Sequence, residues 1–153
     1  MTTTKTARSR SEDPVTQFSV FTENKLGRLH EIIGLFETHN VHVLALTTLD
    51  TTDSTILRMI VDDPERAREL LIEHRWPFAE SQVLVVEVES EIKLRGALAA
   101  LVVAEINIQY VYAFIARPEG RSALAMSLED REVAANALSQ QSFKVLSQRD
   151  LAR

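Results

Sequence analysis

The chain repeats itself, and the repeat limits what it can fold into. Val20, Leu29, Phe36, Val41 and Val43 recur as Val85, Leu94, Leu101, Ile106 and Ile108, each pair 65 positions apart. The spacing then widens to 67. Leu57, Met59, Val61, Asp63, Leu71 and Trp76 pair with Leu124, Met126, Leu128, Asp130, Leu138 and Phe143, as two extra residues in the second unit's hairpin would produce. Stacked repeats need about three or more copies to bury a continuous core, so two units of this length specify paired small domains. Either half alone buries too little surface to be more than marginal. Function is therefore expected where the units meet.

The first unit opens with a strand over Gln17 to Thr22 and a turn at Asn24 to Gly27. Leu29, Ile32, Ile33 and Phe36 share one helical face, and Asn40 tolerates the left-handed conformation that ends a helix. Val41 to Leu49, a polar turn from Asp50 to Ser54, and Thr55 to Val61 form a hairpin. Asp63 and Pro64 then cap a second helix whose apolar face carries Ala67, Leu70 and Leu71. A short strand, Trp76 to Ala79, closes the unit. The second unit repeats this order. It runs through Val83 to Val88, a helix on Leu94, Ala97, Leu98 and Leu101, then Asn107 to Ala116 paired with Ala123 to Leu128 across a turn containing Pro118 and Gly120. Asp130 stands where Asp63 did, before a helix on Val133, Ala134, Ala137 and Leu138, and Phe143 to Leu146 is the last short strand. Each unit is thus βαββαβ, an α+β arrangement. The expected boundaries are a disordered tail over 1–14, a first domain over 15–82 and a second over 83–151, with little linker between them.

Both alternating sets of the hairpin strands are apolar. Val41, Val43 and Ala45 oppose Leu44 and Leu46; Tyr110 and Tyr112 oppose Val111, Ala113 and Ile115. A sheet with helices on one face and water on the other alternates apolar with polar, so these sheets need a second partner. Self-association as a homodimer is expected; the alternative is that the two units of one chain cover each other.

Several chemistries find no support. The net charge is −5 and no basic run is long enough to track a phosphate backbone, so nucleic acid is not an expected partner. No apolar stretch reaches membrane-spanning length, and Met1 to Pro14 lacks the apolar segment of a secretory signal. Zero cysteines exclude disulfides and thiolate catalysis and agree with a cytoplasmic setting. His30, His39, His42 and His74 form no HExxH pair, no GxSxG elbow holds a serine, and no glycine loop cradles phosphate. Asp62 and Asp63 precede a helix, where capping by Asp63 is more economical than paired-carboxylate catalysis. Gly34, inside a helix pattern, is explained by close packing or by slight helical weakness. No cofactor or metal is expected, and the chain does not read as an enzyme.

Asn24, Lys25, Leu26, Gly27 and Arg28 lie between the first strand and first helix. There a glycine permits close approach and the free amides at the helix start favour a carboxylate. Asp50, ending the neighbouring strand, can accept from an ammonium group, the other half of an amino acid zwitterion. Tyr110 and Tyr112 are candidates for the opposite wall, although core packing suits both equally.

Phe21-Thr22-Glu23-Asn24-Lys25-Leu26-Gly27-Arg28-Leu29, followed by Asn40-Val41-His42-Val43, resembles the opening of an ACT domain, a small amino-acid-binding regulatory module. The resemblance runs from about Gln17 to Leu151. Asp50-Thr51-Thr52-Asp53, Ile60-Val61-Asp62-Asp63-Pro64-Glu65 and Tyr110-Val111-Tyr112-Ala113-Phe114 are similar to the stand-alone tandem ACT proteins. It implies ferredoxin-like units, each with a four-stranded antiparallel sheet and two helices on one face. It also implies sheets often joined edge to edge and an effector near the strand-to-helix loop at the unit interface. Leu26 replaces the proline usual before Gly27, and Ile92 stands where Gly27 does, beside Glu89 and Glu91, so the second unit's site is expected to be lost or altered. The reading is a non-catalytic amino-acid-binding regulatory protein acting on an enzyme or other protein partner. The alternatives are a protein-interaction module without a small ligand and, third, an enzyme subunit.

Overall fold

The computed structural model describes residues 13–23, 27–116 and 120–152. Its elements are β1 (Val15–Glu23), α1 (Arg28–Thr38), β2 (Val43–Asp50), β3 (Ser54–Val61), α2 (Pro64–Glu73), β4 (Phe78–Glu87), α3 (Glu91–Val103), β5 (Ile108–Ala113), β6 (Ala123–Leu128), α4 (Arg131–Gln140), β7 (Val145–Leu146) and α5 (Gln148–Leu151). This is the expected βαββαβ order twice. Among the described residues no helix is long and apolar enough to cross a membrane. Apart from Asp13 and Pro14, the tail expected over 1–14 lies outside the described residues. So does Pro118 of the expected second-unit turn.

The two copies keep the same punctuation. Asp63 Oδ1 accepts from the Arg66 amide and Asp130 Oδ1 from the Val133 amide, both at 3.1 Å, so each caps the helix it precedes. Asn40 and Glu105 end the first helix of each unit with φ of 59° and 57°; Arg75 and Ser142 end the second with 58° and 67°. These left-handed stops recur at the spacings of the apolar repeat, so the duplication extends to the backbone. Asn suits that conformation; Arg, Glu and Ser are held there by the turn around them.

The junction differs from two strands joined by a short linker. Trp76 to Ala79 and Val83 to Val88 were expected as separate strands, but ten residues form one continuous β4. Its first half pairs antiparallel with β1, from Val20↔Phe78 to Val15↔Val83; its second half pairs with β6, from Leu84↔Met126 to Glu87↔Ala123, and with β7. The expected boundary between 82 and 83 falls inside this strand. Among the described residues seven strands result, in the order β2-β3-β1-β4-β6-β5, with β7 beside β4.

The ends of that path touch. Ala45 of β2 bridges Phe114, and the amides of Ile115 and Ala116 donate to the Leu44 carbonyl at 2.8 and 3.1 Å. The path therefore curls back on itself and closes face to face around Val15, Ala45, Ile60, Val83, Val85, Tyr112, Phe114, Ala123 and Ala125. The helices stay outside. One outer core packs α1 and α2 through Ile32, Phe36, Leu70 and Leu71; the other packs α3 and α4 through Ala97, Leu101, Ala134 and Leu138. The double-sided apolar strands thus have their second partner within the chain. Leu44 packs on the central core and Leu46 on the first outer core, while Val111 and Ile115 stay 46% and 66% exposed.

Candidate functional site

Gly27 takes φ 99°, a left-handed value that favours glycine, and its carbonyl accepts the first helical bond from the Glu31 amide at 2.9 Å. Among the described residues no side chain caps α1. In the second unit Ser90 Oγ accepts from the Lys93 amide at 3.4 Å, so that helix start carries its own oxygen acceptor. The two starts differ in what they leave for a ligand. Asn24, Lys25 and Leu26 lie outside the described residues. Arg28 has turned to its own helix and to Trp76: Nη1 is 3.2 Å from Glu31 Oε2, and the guanidinium lies 5.2 Å from the indole ring.

Asp50 occupies the same end of the sheet. It pairs with Thr55, which pairs with Thr22 on β1, so Asp50 and the end of β1 are two strand spacings apart, roughly 10 Å. Thr55 Oγ1 donates to Asp50 Oδ1 at 2.8 Å and orients the carboxylate.

Tyr110 and Tyr112 are elsewhere. Both project into the central core, stacked at 6.4 Å, and their hydroxyls meet Gln17 near the start of β1. Gln17 lies about 20 Å along the strand from Glu23. Its Nε2 donates to Tyr110 Oη at 2.7 Å and to Ser81 Oγ at 3.2 Å, while its Oε1 accepts from Tyr112 Oη. Arg58 stacks on the Tyr110 ring at 4.0 Å. Burial pushes the Tyr112 phenol up, aided by Tyr110 and opposed by Arg58. Gln17 is fully buried and sits on β1, whereas both tyrosines sit on β5, three strands away in the sheet; only face-to-face closure brings them together. This network ties the units to one another.

A second grouping was not singled out from the sequence. Asp62 Oδ1 accepts from the His42 amide at 2.8 Å and Oδ2 faces His42 Nδ1 at 2.9 Å. Both line a cleft of 440 Å³ with Ile33, Glu37, Leu44 and Leu151. The signal lay in the hairpin register, since His42 precedes β2 and Asp62 follows β3. A bulge between Val43 and Ala45 shifts that register by one. Without it, His42 would face the helix cap Asp63 instead.

A family model described as an ACT domain pair matches residues 14–153. Among solved structures, a protein from Bacteroides thetaiotaomicron is 25% identical with a TM-score of 0.82, covering 92% of this chain and 96% of that one. The ligand-free regulatory subunit of aspartate kinase from Thermus thermophilus is 13% identical with a TM-score of 0.60, covering 87% and 95%. Aspartokinase alpha and beta subunits are 15% identical with a TM-score of 0.53, covering 82% and 90%. At those identities the kinase subunits share the fold. No curated protein matches in sequence. With the duplicated order, the shared caps and a family match over nearly the whole chain, the protein belongs to the ACT domain pair family.

Proposed function

We propose that this chain is a non-catalytic regulatory protein that binds a small amino acid in its first unit and transmits occupancy to an enzyme or other protein partner. One observation carries the reading: α1 starts at a left-handed glycine with no side-chain cap among the described residues, whereas α3 starts at Ser90, which supplies its own acceptor. Amides around Leu26, Gly27 and Arg28 receive the carboxylate, and Asp50 receives the ammonium. Tyr110 and Tyr112 are left to the central core by their bonds to Gln17. The aspartate kinase regulatory subunit of the same fold supports a regulatory role. The cytoplasm is the expected setting. We assign self-association to the surface holding Val111 and Ile115, two of the apolar residues that intrachain closure leaves exposed; sedimentation showing only monomer at micromolar concentration rejects it.

Calorimetric titration with the twenty amino acids tests the ligand. At least one saturable response is expected, weakened about 10-fold or more by Asp50→Asn, since a charged hydrogen bond is worth about 1.5–3 kcal/mol. Asn retains an oxygen for Thr55, so its loss of binding isolates the charge. Gly27→Val is expected to weaken binding through its backbone, because a Cβ there meets no atom of the described residues within 4 Å but the residue must adopt φ 99°. Silence from all twenty favours an interaction module without a small ligand.

A further inference from the structure

The cleft beside His42 lies at the end of the first sheet opposite Asp50 and the β1–α1 turn. Its 440 Å³ falls within the roughly 300–1,000 Å³ of small-molecule sites. Ile33, Val43 and Leu44 of the first unit and Leu151 of α5 supply apolar wall, so an occupant there touches both units.

Its polar groups among the described residues share one character. The Asp62 side chain is only 7% exposed, and a carboxylate can only accept, so His42 Nδ1 carries the proton that lies between them. In that tautomer Nε2 is an acceptor. Glu37, exposed on the last turn of α1, adds a carboxylate to the lining. Among the described residues the nearby backbone donors are already engaged: the His42 amide by Asp62, the Asp62 amide by the His42 carbonyl at 3.1 Å, and the Ile115 and Ala116 amides by Leu44. A carboxylate ligand would find these donors occupied and meet Glu37. A donor-bearing ligand meets complementary groups.

We propose that this cleft is a second ligand site, separate from the β1–α1 turn, that takes a small aliphatic molecule with a hydrogen-bond-donating head, an amine in preference to an alcohol. His42 Nε2 accepts from the head group, Glu37 offsets the charge of an ammonium, and the apolar wall takes the chain. The site does not depend on the amino acid reading.

Three probes with the same branched five-carbon body separate the possibilities: isoamylamine, isoamyl alcohol and isovalerate. Each is titrated into the full chain while backbone amide NMR shifts are followed. The expected result is saturable movement of the His42, Val43, Leu44 and Asp62 amides with the amine, weaker movement with the alcohol and none with isovalerate, the Gly27 and Asp50 amides staying still. Glu37→Gln, on an exposed position, should weaken the amine about threefold and leave the alcohol unchanged; His42→Phe should weaken both about fivefold. No saturation with the amine, an equal response to isovalerate, or Glu37→Gln leaving the amine affinity unchanged overturns the proposal, and the Glu37 variant decides alone if His42→Phe does not fold. A failure here with amino acid shifts intact at Gly27 and Asp50 leaves the first site standing.

Discussion

Replacing Tyr112 by Phe tests whether the Gln17 network holds the two units together. The ring keeps its place in the central core, so the change opens no cavity and removes one hydroxyl. That hydroxyl donates to Gln17 Oε1, and Gln17 is fully buried. Its amide nitrogen keeps Tyr110 and Ser81, but its oxygen loses this donor where water does not reach. An unsatisfied buried acceptor costs about 1–3 kcal/mol, more than the net worth of one neutral hydrogen bond. Urea unfolding should therefore shift by that amount with an unchanged slope, since the exposed surface is the same. Gln17→Leu combined with Tyr112→Phe removes both partners and should cost less than the two single changes added, with a coupling of about 0.5–3 kcal/mol. The phenol adds a pH signature. Its folded pKa is raised by burial, so its contribution is fully present below the ordinary tyrosine value near 10 and declines as pH rises above it. Tyr112→Phe should flatten that alkaline loss. A single change costing under about 0.5 kcal/mol, or strictly additive singles, refutes the network as the tie between units.

Three further outcomes follow from the geometry. A Cβ on Gly34 meets nothing within 4 Å, so Gly34→Ala should stabilise by about 0.5–1 kcal/mol in thermal melts, whereas Gly96→Ala brings its Cβ to 3.3 Å from Phe143 Cζ and should gain less or lose. Glu105→Gly, relieving a left-handed non-glycine residue at φ 57°, should raise stability by roughly 0.5–1 kcal/mol after the greater freedom of glycine in the unfolded chain is counted. The Arg68 guanidinium holds the Glu80 carboxyl below its ordinary value, chiefly by hydrogen bonding and against the opposing effect of burial. That contribution is present above the unfolded pKa and lost as pH falls through the folded one, and because the pair is about one-third exposed it should reach at most about 1 kcal/mol. Acid titration of stability in Glu80→Gln should lack that share.

The alternation that marked the hairpins as apolar on both faces was legible, but its satisfaction was not. Periodicity reports that a face must be covered; it carries no information about whether the cover comes from the same chain. Here β4 runs through both units without a break, which fixes their sheets as neighbours and leaves closure of β2 on β5 as the way to bury the inner face. Gln17 and Tyr112 meet as a result, 95 residues apart. Nothing local in either segment announces the contact. Gly34 shows the same limit on a smaller scale: close packing was one explanation for it, and the open space around it leaves helical weakness as the other.

The amino-acid sequence alone determined the unit, its duplication, the helix caps at Asp63 and Asp130, and the glycine turn before α1. Each of these is set by contacts within a few residues or by periodicity along one element. Tertiary structure decided the continuous β4, the enclosed central core, the removal of Tyr110 and Tyr112 from the turn, and the pairing of His42 with Asp62. These depend on register, bulges and strand continuity. Such features arise from the balance of many weak long-range contacts, which no short stretch of sequence encodes by itself.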